Sequence, residues 1–394
     1  MRRFVPFLLI LFVIAAVVRV SFFFTIVYLF FGVYLLTRLW TQRMLGHVVV
    51  QRHFVNRAFF GDHVMVDVVL HNTGWLPIPW LEARESLPVN LAAPAVKGQV
   101  VSLGPHERWH LKYTLLCRRR GYYPIGPLTM RCGDLLGIEP PREEQATPNH
   151  LIVYPKVLPL QQLGLPTHSP LAVLPDRVPL FEDPARVVGV RDYQRGDSPR
   201  RIHWTATASA GRLLVKQYHA AIARETLVFL DLDEASYEPR QRYTATELAI
   251  VVAASMASHV VNQERLAVGL ATEAQDPLLG ERARFFLPPR SERAHLMSLL
   301  EVLARVQVTA ATPFADLLRR ESVRLTWGAT LAVISGRESA ALFDTLVCLQ
   351  RAGFAVALIL VQPGRPSDEL QKRAALLNMP VHRVWRERDL EMWQ

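Results

Sequence analysis

The sequence predicts an α/β domain built on a parallel, Rossmann-like sheet, preceded by a small antiparallel β-sandwich and an N-terminal transmembrane helical hairpin. Three observations carry this prediction. Two long apolar runs open the chain, period-two alternation fills about residues 45–155, and continuous apolar runs of strand length alternate with helical segments beyond residue 225. A chain of 394 residues is long enough for two or three folded units of roughly 100–200 residues each. The expected boundaries are 1–43 for the hairpin, 44–157 for the β-sandwich, 158–188 for a connector and 189–394 for the α/β domain.

The N-terminal runs FVPFLLILFVIAAVV and VSFFFTIVYLFFGVYLL flank a lone Arg19. Each is short of the roughly 20 residues of a comfortable span, whereas one continuous helix of about 50 Å would overshoot a hydrocarbon core of about 30 Å. A tight hairpin with Arg19 near its turn resolves the mismatch. A cleaved signal peptide fits less well, because the second apolar run follows without an A-x-A-like site or a polar gap. Arg2 and Arg3 precede the hairpin and Arg38 and Arg43 follow it, so both ends are expected in the cytoplasm. Three cysteines give no disulfide framework, which suits a reducing compartment, and Cys117 and Cys132 are placed as candidate cross-strand neighbours.

In the next segment, VMVDVVL and WHLKYTLL alternate apolar and polar residues, and Asn72-Thr73-Gly74 and Arg120-Gly121 supply turns. Ten prolines then fall between residues 139 and 184, where LIVYP is the one strand-like run. Such a stretch cannot propagate a helix and suits an extended connector. The net charge of +10 and pI of about 9.8 raise nucleic acid as a partner. The arginines are nevertheless interleaved with Asp and Glu, and no basic run alternates with aromatics. A basic protein beside anionic lipid fits better, with the hairpin as the membrane contact.

In the C-terminal half, TLVFLDL, RLAVGLA, ATLAVIS and FAVALILV read as buried parallel strands, with helices expected at about 243–262, 292–305, 313–325 and 339–352. Thr244 and Glu247 form a capping-box pattern for the first of these helices. Pro313 suits the first turn of a later one.

Ligands of open α/β sheets collect at the carboxyl ends of strands. The first strand ends in Asp231-Leu232-Asp233-Glu234-Ala235, a carboxylate pair compatible with Mg²⁺. It resembles the D-x-D of haloacid-dehalogenase-like phosphotransferases, with Ser335 closing a later strand. Lys372 is however the sole lysine after Asp231, and no later strand end carries an acidic pair. It also resembles the first strand of a von Willebrand factor A-like metal-ion-dependent adhesion site, D-x-S-x-S. There Asp233 and Ala235 replace the serines, Thr312 is the candidate threonine, and Gly336 stands where a further acid belongs. Asp231, Asp233 and Thr312 thus read as a degraded metal site, with no bound metal or cofactor expected and capping of the strand as the plain alternative. G-x-S-x-G, H-E-x-x-H, C-x-x-C, P-loop and G-x-G-x-x-G patterns are all absent, so neither a catalytic constellation nor a small-molecule substrate is indicated.

The segment 191–212, RDYQRGDSPRRIHWTATASAGR, concentrates five arginines beside a tyrosine and a tryptophan. Asp197 or Ser198 as cap, Pro199 in the first turn and Gly211 at the end predict a helix over 199–209, with Arg200, Arg201 and Trp204 on one face and Ile202 and Ala206 on another. Arg191, Tyr193 and Arg195 precede it. Guanidinium groups beside an indole suit an acidic partner segment, or an internal clamp in which Asp192 and Asp197 pair with Arg200, Arg201 or Arg212.

Residues 189–218, GVRDYQRGDSPRRIHWTATASAGRLLVKQY, resemble the signature of the domain-of-unknown-function 58 family at Arg191, Tyr193, Gly196, Asp197, Arg200, Ile202 and Trp204. RRGYYPIGPLTMRCGDLLGI at 119–138 and LIVYPKV at 151–157 resemble its β-domain. His203, Thr205 and Leu135-Leu136 depart from the pattern. The resemblance implies a bacterial protein of the inner membrane with a von Willebrand factor A-like domain. It also implies work beside a MoxR-type AAA+ ATPase as a non-enzymatic adaptor that binds protein clients. The alternative expectation is a Mg²⁺-dependent phosphotransferase using Asp231 and Asp233.

Overall fold

The computed structural model describes residues 10, 12, 13, 21–92, 98–134, 140–160, 182–194, 202–220, 225–362 and 379–391. The chain divides into two compact units, Met1–Lys156 and Val157–Gln394.

The first unit begins with helix α1 (Ser21–Met44). With the turn that follows, its span Phe24–His47 is long and apolar enough to cross a bilayer. Arg19 and most of the first arm of the expected hairpin lie outside the described residues, which therefore give one apolar helix.

Eleven strands follow: β1 (Val48–His53), β2 (Arg57–Ala58), β3 (His63–Asn72), β4 (Ile78–Glu85), β5 (Leu91–Ala92), β6 (Gln99–Leu103), β7 (Arg108–Cys117), β8 (Gly121–Ile125), β9 (Leu128–Cys132), β10 (Arg142–Ala146) and β11 (Asn149–Val153). They form two four-stranded sheets, β1-β3-β7-β5 and β10-β9-β4-β6, and a three-stranded sheet β2-β11-β8. The alternation in β3 buries Val64, Val66, Val68 and Leu70, and β7 buries Leu111, Tyr113 and Leu115. Leu81 and Ala83 of β4 and Leu128 and Met130 of β9 join them in one core, so the two larger sheets share their apolar faces.

Two expectations are corrected here. Cys117 and Cys132 are not cross-strand neighbours, because β7 and β9 belong to different sheets and pair Cys117 with Leu91 and Cys132 with Leu81. Both are free, and burial pushes each thiol up to about 11. LIVYP is also not alone as a strand between 139 and 184. The charged strand β10 starts directly after Pro140-Pro141 and lies at a sheet edge, where neither proline removes a ladder donor.

A buried ion pair ties this unit together. The guanidinium of Arg52 (β1) lies 3.1 Å from Glu85 Oε1 (β4), with side chains 2% and 0% exposed. Arg52 also donates to the Thr147 carbonyl at 2.6 Å and to Asn149 Oδ1 at 3.1 Å. Burial lifts the Glu85 carboxyl above its ordinary value, against the charge and hydrogen bond of Arg52.

In the second unit, β12 (Glu182–Asp192) and β13 (Leu214–Ala220) form an antiparallel pair. The expected connector over 158–188 thus passes into a strand at its end, and residues 161–181 lie outside the described set. Between these strands is α2 (Trp204–Ala210), shorter than the expected helix over 199–209. Ile202 is not helical. It bridges to Val215, and His203 caps the helix by accepting the Ala206 N–H at 3.2 Å. Gly211 ends it in the left-handed conformation at φ 70°.

The remaining elements are β14 (Glu225–Leu230), α3 (Arg242–Asn262), β15 (Ala267–Asp276), β16 (Glu281–Arg290), α4 (Arg293–Arg305), α5 (Phe314–Ser322), β17 (Thr330–Ser335), α6 (Ala340–Arg351), β18 (Ala355–Val361), β19 (Val381–Val384) and α7 (Glu387–Glu391). The sheet runs β16-β15-β14-β17-β18-β19, parallel except for the edge strand β16. Leu227, Phe229, Leu331 and Val333 pack with α5 and α6. The intervening residues Val228, Leu230, Ala332 and Ile334 are equally buried and point to the other face, where α3 contacts the strands.

α3 is apolar enough to cross a membrane by composition, but it is a core helix, 78% buried over its apolar window. It begins at Arg242 without a side-chain cap, so the Thr244–Glu247 pattern falls inside its first turns. Neither β16 nor β19 is expected from the sequence. The antiparallel edge tolerates Pro288-Pro289 in β16, and β19 has only four residues.

Candidate functional site

Counted in chain order within the sheet, the strand order is 3-2-1-4-5-6, which places the switch point between β14 and β17. Asp231 directly follows β14 and Ser335 closes β17, so this end of the sheet brings the two together. Ser335 Oγ donates to Asp231 Oδ2 at 2.8 Å, and the Asp233 N–H donates to Asp231 Oδ1 at 3.0 Å. Asp233 Oδ1 in turn accepts the N–H groups of Ala235 at 3.3 Å and Ala311 at 3.2 Å.

Thr312 lies nearby but serves another group. Its hydroxyl donates to Glu273 Oε2 at 2.7 Å, and Glu273, 3% exposed in its side chain, is gripped by Arg282 at 3.1 Å and Arg284 at 2.8 Å. Burial acts to raise the Glu273 carboxyl, but the bonds from Thr312 and Arg284 outweigh it and hold the group below its ordinary value.

The crevice between β14 and β17 is filled from within. The Tyr237 hydroxyl donates to the Asp231 carbonyl at 2.6 Å, and its buried ring lies against Gly336 so closely that a Cβ there would overlap it. Burial and the neighbouring Asp231 push the Tyr237 hydroxyl well above its ordinary value, so it remains a donor.

Magnesium demands open carboxylate oxygens with room for several waters. Here both Asp231 carboxylate oxygens and Asp233 Oδ1 are engaged by protein donors, Thr312 is committed to Glu273, and Tyr237 occupies the space over Gly336. The residues do not fit the ion. Among the described residues, no group of three or more His, Cys, Asp or Glu side chains is placed to hold a metal. Lys372, which a phosphotransferase would need, lies outside the described residues.

Asp231 carries a testable electrostatic signature. Burial pushes its carboxyl up to about 6, against hydrogen bonds from Ser236, the Asp233 N–H and Ser335 that favour the ionised form. A carboxyl whose folded value lies above its unfolded value contributes stability in full below the unfolded value and loses it as pH rises through the folded one. The loss expected between about pH 4 and pH 7 is about 3 kcal/mol, from the rise of roughly two units at 1.36 kcal/mol each. Urea unfolding of the wild type and of Asp231→Asn across this range should show the difference, the asparagine variant lacking the step.

Within the arginine-rich segment, Arg191, Tyr193 and Trp204 are described, whereas Gly196, Asp197, Arg200 and Arg201 lie outside the described residues. The Tyr193 N–H donates to the Leu213 carbonyl at 3.0 Å. Asp192 pairs with Arg212 at 3.2 Å, with both side chains more than half exposed, a geometry that contributes about 0–1 kcal/mol. Trp204 opens α2 with 67% of its surface exposed.

Glu273 and Tyr237 are the residues that sequence reasoning missed. The signal for Glu273 was a lone carboxylate inside a strand-like apolar run, which demands partners when buried. Tyr237 carried no comparable signal.

This fold and site define a mixed α/β unit with a mostly parallel six-stranded sheet, attached to a β-rich unit and an apolar helix. Residues 189–333 match the family model described as "Protein of unknown function DUF58", which supports the resemblance read from the sequence over that span. No curated protein matches the chain in sequence. Among solved structures, the chain is similar to native alpha-2-macroglobulin from Escherichia coli, from domain MG7 to the C-terminus. That match has 18% identity, 29% of this chain, 17% of that one and a TM-score of 0.25. The CARDB domain of the PF1109 protein from Pyrococcus furiosus matches at 18% identity, over 27% of this chain and 86% of that one, TM-score 0.21. The cupredoxin domain of amoB from Nitrosocaldus yellowstonii matches at 13%, over 30% and 99%, TM-score 0.20. The chain spans less than a fifth of the first of these, and likenesses at such TM-scores carry no assignment.

Proposed function

We propose that this chain is a membrane-anchored, non-enzymatic adaptor that holds protein partners through its α/β unit. One observation carries the reading: the crevice where an α/β sheet ordinarily takes its ligand is filled by Tyr237 lying against Gly336, with Asp231, Asp233 and Thr312 spent on internal hydrogen bonds. A domain whose usual ligand crevice is closed has its outer surface left for binding. The strand order with an antiparallel edge strand supports a von Willebrand factor A-like fold whose metal site has decayed.

The apolar helix α1 supports anchorage, and a hairpin with both soluble units in the bacterial cytoplasm is the topology we favour. The partner we favour, from the family resemblance, is a MoxR-type AAA+ ATPase together with its clients. The arginine-rich segment and the exposed Trp204 are the docking surface, since indole and guanidinium groups dominate the energetics of protein interfaces.

Capture of the ATPase from detergent extracts tests this directly. Trp204→Ala is expected to lower capture at least tenfold, about 1.4 kcal/mol or more, while leaving the melting temperature unchanged because the side chain is mostly exposed. Asp231→Asn should leave capture intact. Phosphoester hydrolysis that needs Mg²⁺ and disappears in Asp231→Asn would instead establish the phosphotransferase.

A further inference from the structure

We infer that the turn joining β3 to β4 is a membrane-contacting device that sets Trp75 into the headgroup layer of the bilayer, a proposal that rests on the membrane anchorage above. The turn is held rigidly. Asn72 is fully buried, and its side chain donates to the carbonyls of Leu76 and Gly104 at 2.9 Å each while accepting the Gly74 N–H at 3.0 Å. The neighbouring turn between β6 and β7 is tied to it, the Asn72 N–H donating to the Glu107 carbonyl and the His106 N–H to the Gly74 carbonyl. Trp75, in the middle of this brace, is 81% exposed. A single exposed apolar side chain on a loose loop needs no explanation, but an indole that fixed backbone holds out in water does.

The turn is also bound to α1 and the residues that follow it, and these bonds fix its depth. The Thr73 N–H and hydroxyl both donate to the His47 carbonyl at 2.8 Å, and the Pro77 carbonyl accepts the Trp40 indole N–H at 3.1 Å. Between these two attachments the turn descends by about 10 Å toward the middle of the apolar helix. Leu36 and Leu39 remain exposed on that helix, so its apolar surface reaches the level of Trp40. A bilayer that covers Leu39 therefore brings its headgroups to Trp75, and this is the layer in which tryptophan is enriched. Charge agrees with that depth. Arg43 and Arg108 are exposed at this end of the unit, and the one carboxylate in the two turns, that of Glu107, accepts the Gly104 N–H at 2.6 Å. An anionic lipid surface is attracted to such an end.

The test uses the full chain in vesicles of equal parts phosphatidylethanolamine and phosphatidylglycerol. Flotation comes first, and a chain that stays behind would remove the anchorage and this proposal together. For a chain that floats, the fluorescence of wild type minus that of Trp75→Phe isolates Trp75 from the other tryptophans. Circular dichroism of the two should coincide because the indole is exposed, and Trp75→Tyr supplies the same subtraction as a second variant. The difference emission is expected to be blue-shifted from that of indole in water. Lipids brominated near the headgroup end of their chains should quench it at least about twofold more than lipids brominated near the methyl end. An emission that is water-like and unquenched by either lipid would leave the anchorage standing and overturn the proposal. So would a blue-shifted emission indifferent to bromine, because a protein surface would then cover Trp75.

Discussion

Replacing Arg52 by methionine is expected to destabilise the β-rich unit by about 3–5 kcal/mol at pH 8, the cost of leaving a buried charge without its partner. Glu85 is fully buried and its carboxylate faces the guanidinium at 3.1 Å. Methionine retains much of the apolar stem of arginine but none of its donors, so Thr147 and Asn149 also lose their bonds. The penalty should depend on pH. Burial already lifts the Glu85 carboxyl above its ordinary value, and Arg52 opposes that lift. Without the guanidinium the folded value rises further, so the stability linked to protonation is present in acid and is lost as pH rises through that value. Unfolding of Arg52→Met should therefore be easier at pH 8 than at pH 5.5, by more than in wild type. Hydrogen exchange of the β3 and β7 amides in full-length protein reads this locally. The double variant Arg52→Met/Glu85→Leu should recover most of the loss, because an apolar pair replaces an orphaned charge. A single variant as stable as wild type would mean that the pair contributes nothing.

That ion pair shows where sequence reading stops. Strands β3 and β7 of the same unit were legible, because VMVDVVL and WHLKYTLL alternate with the period of a half-buried strand. The pairing was not, since Arg52 and Glu85 lie 33 positions apart on strands of different sheets. The α/β sheet was legible for a related reason: four continuous apolar runs separated by helical segments admit few other folds. β16 escaped notice because an edge strand needs no apolar face and can carry two prolines. In the arginine-rich segment, the end of the helix at Gly211 was readable from its glycine. Its start was displaced to Trp204 because Ile202 bridges to Val215 and His203 does the capping. At the acidic strand tip, the sequence displayed the carboxylates but not the donors that occupy them. Backbone N–H groups of Asp233, Ala235 and Ala311 are invisible to motif reading, and Tyr237 meets Gly336 across 99 positions of chain.

Gly336→Ala tests that closure, and its expected cost is about 3 kcal/mol, the upper part of the range for overpacking a filled interior. A Cβ at this position would overlap the Tyr237 ring and lie 2.7 Å from the Ser236 carbonyl oxygen. The ring cannot step aside cheaply, because it is buried and its hydroxyl is bonded to the Asp231 carbonyl at 2.6 Å. The carbonyl oxygen is backbone, fixed by the turn that Asp233 starts. Tyr237→Ala alone should cost about 3–5 kcal/mol through the cavity it leaves. The two changes touch the same space, so the double variant should cost at least about 1 kcal/mol less than the sum of the singles. Urea midpoints for the four proteins supply the cycle. Strict additivity would mean that the alanine methyl does not meet the ring and that the crevice between β14 and β17 is open. The adaptor reading would then lose its support, because an open crevice beside Asp231 and Ser335 is where an α/β sheet places a ligand.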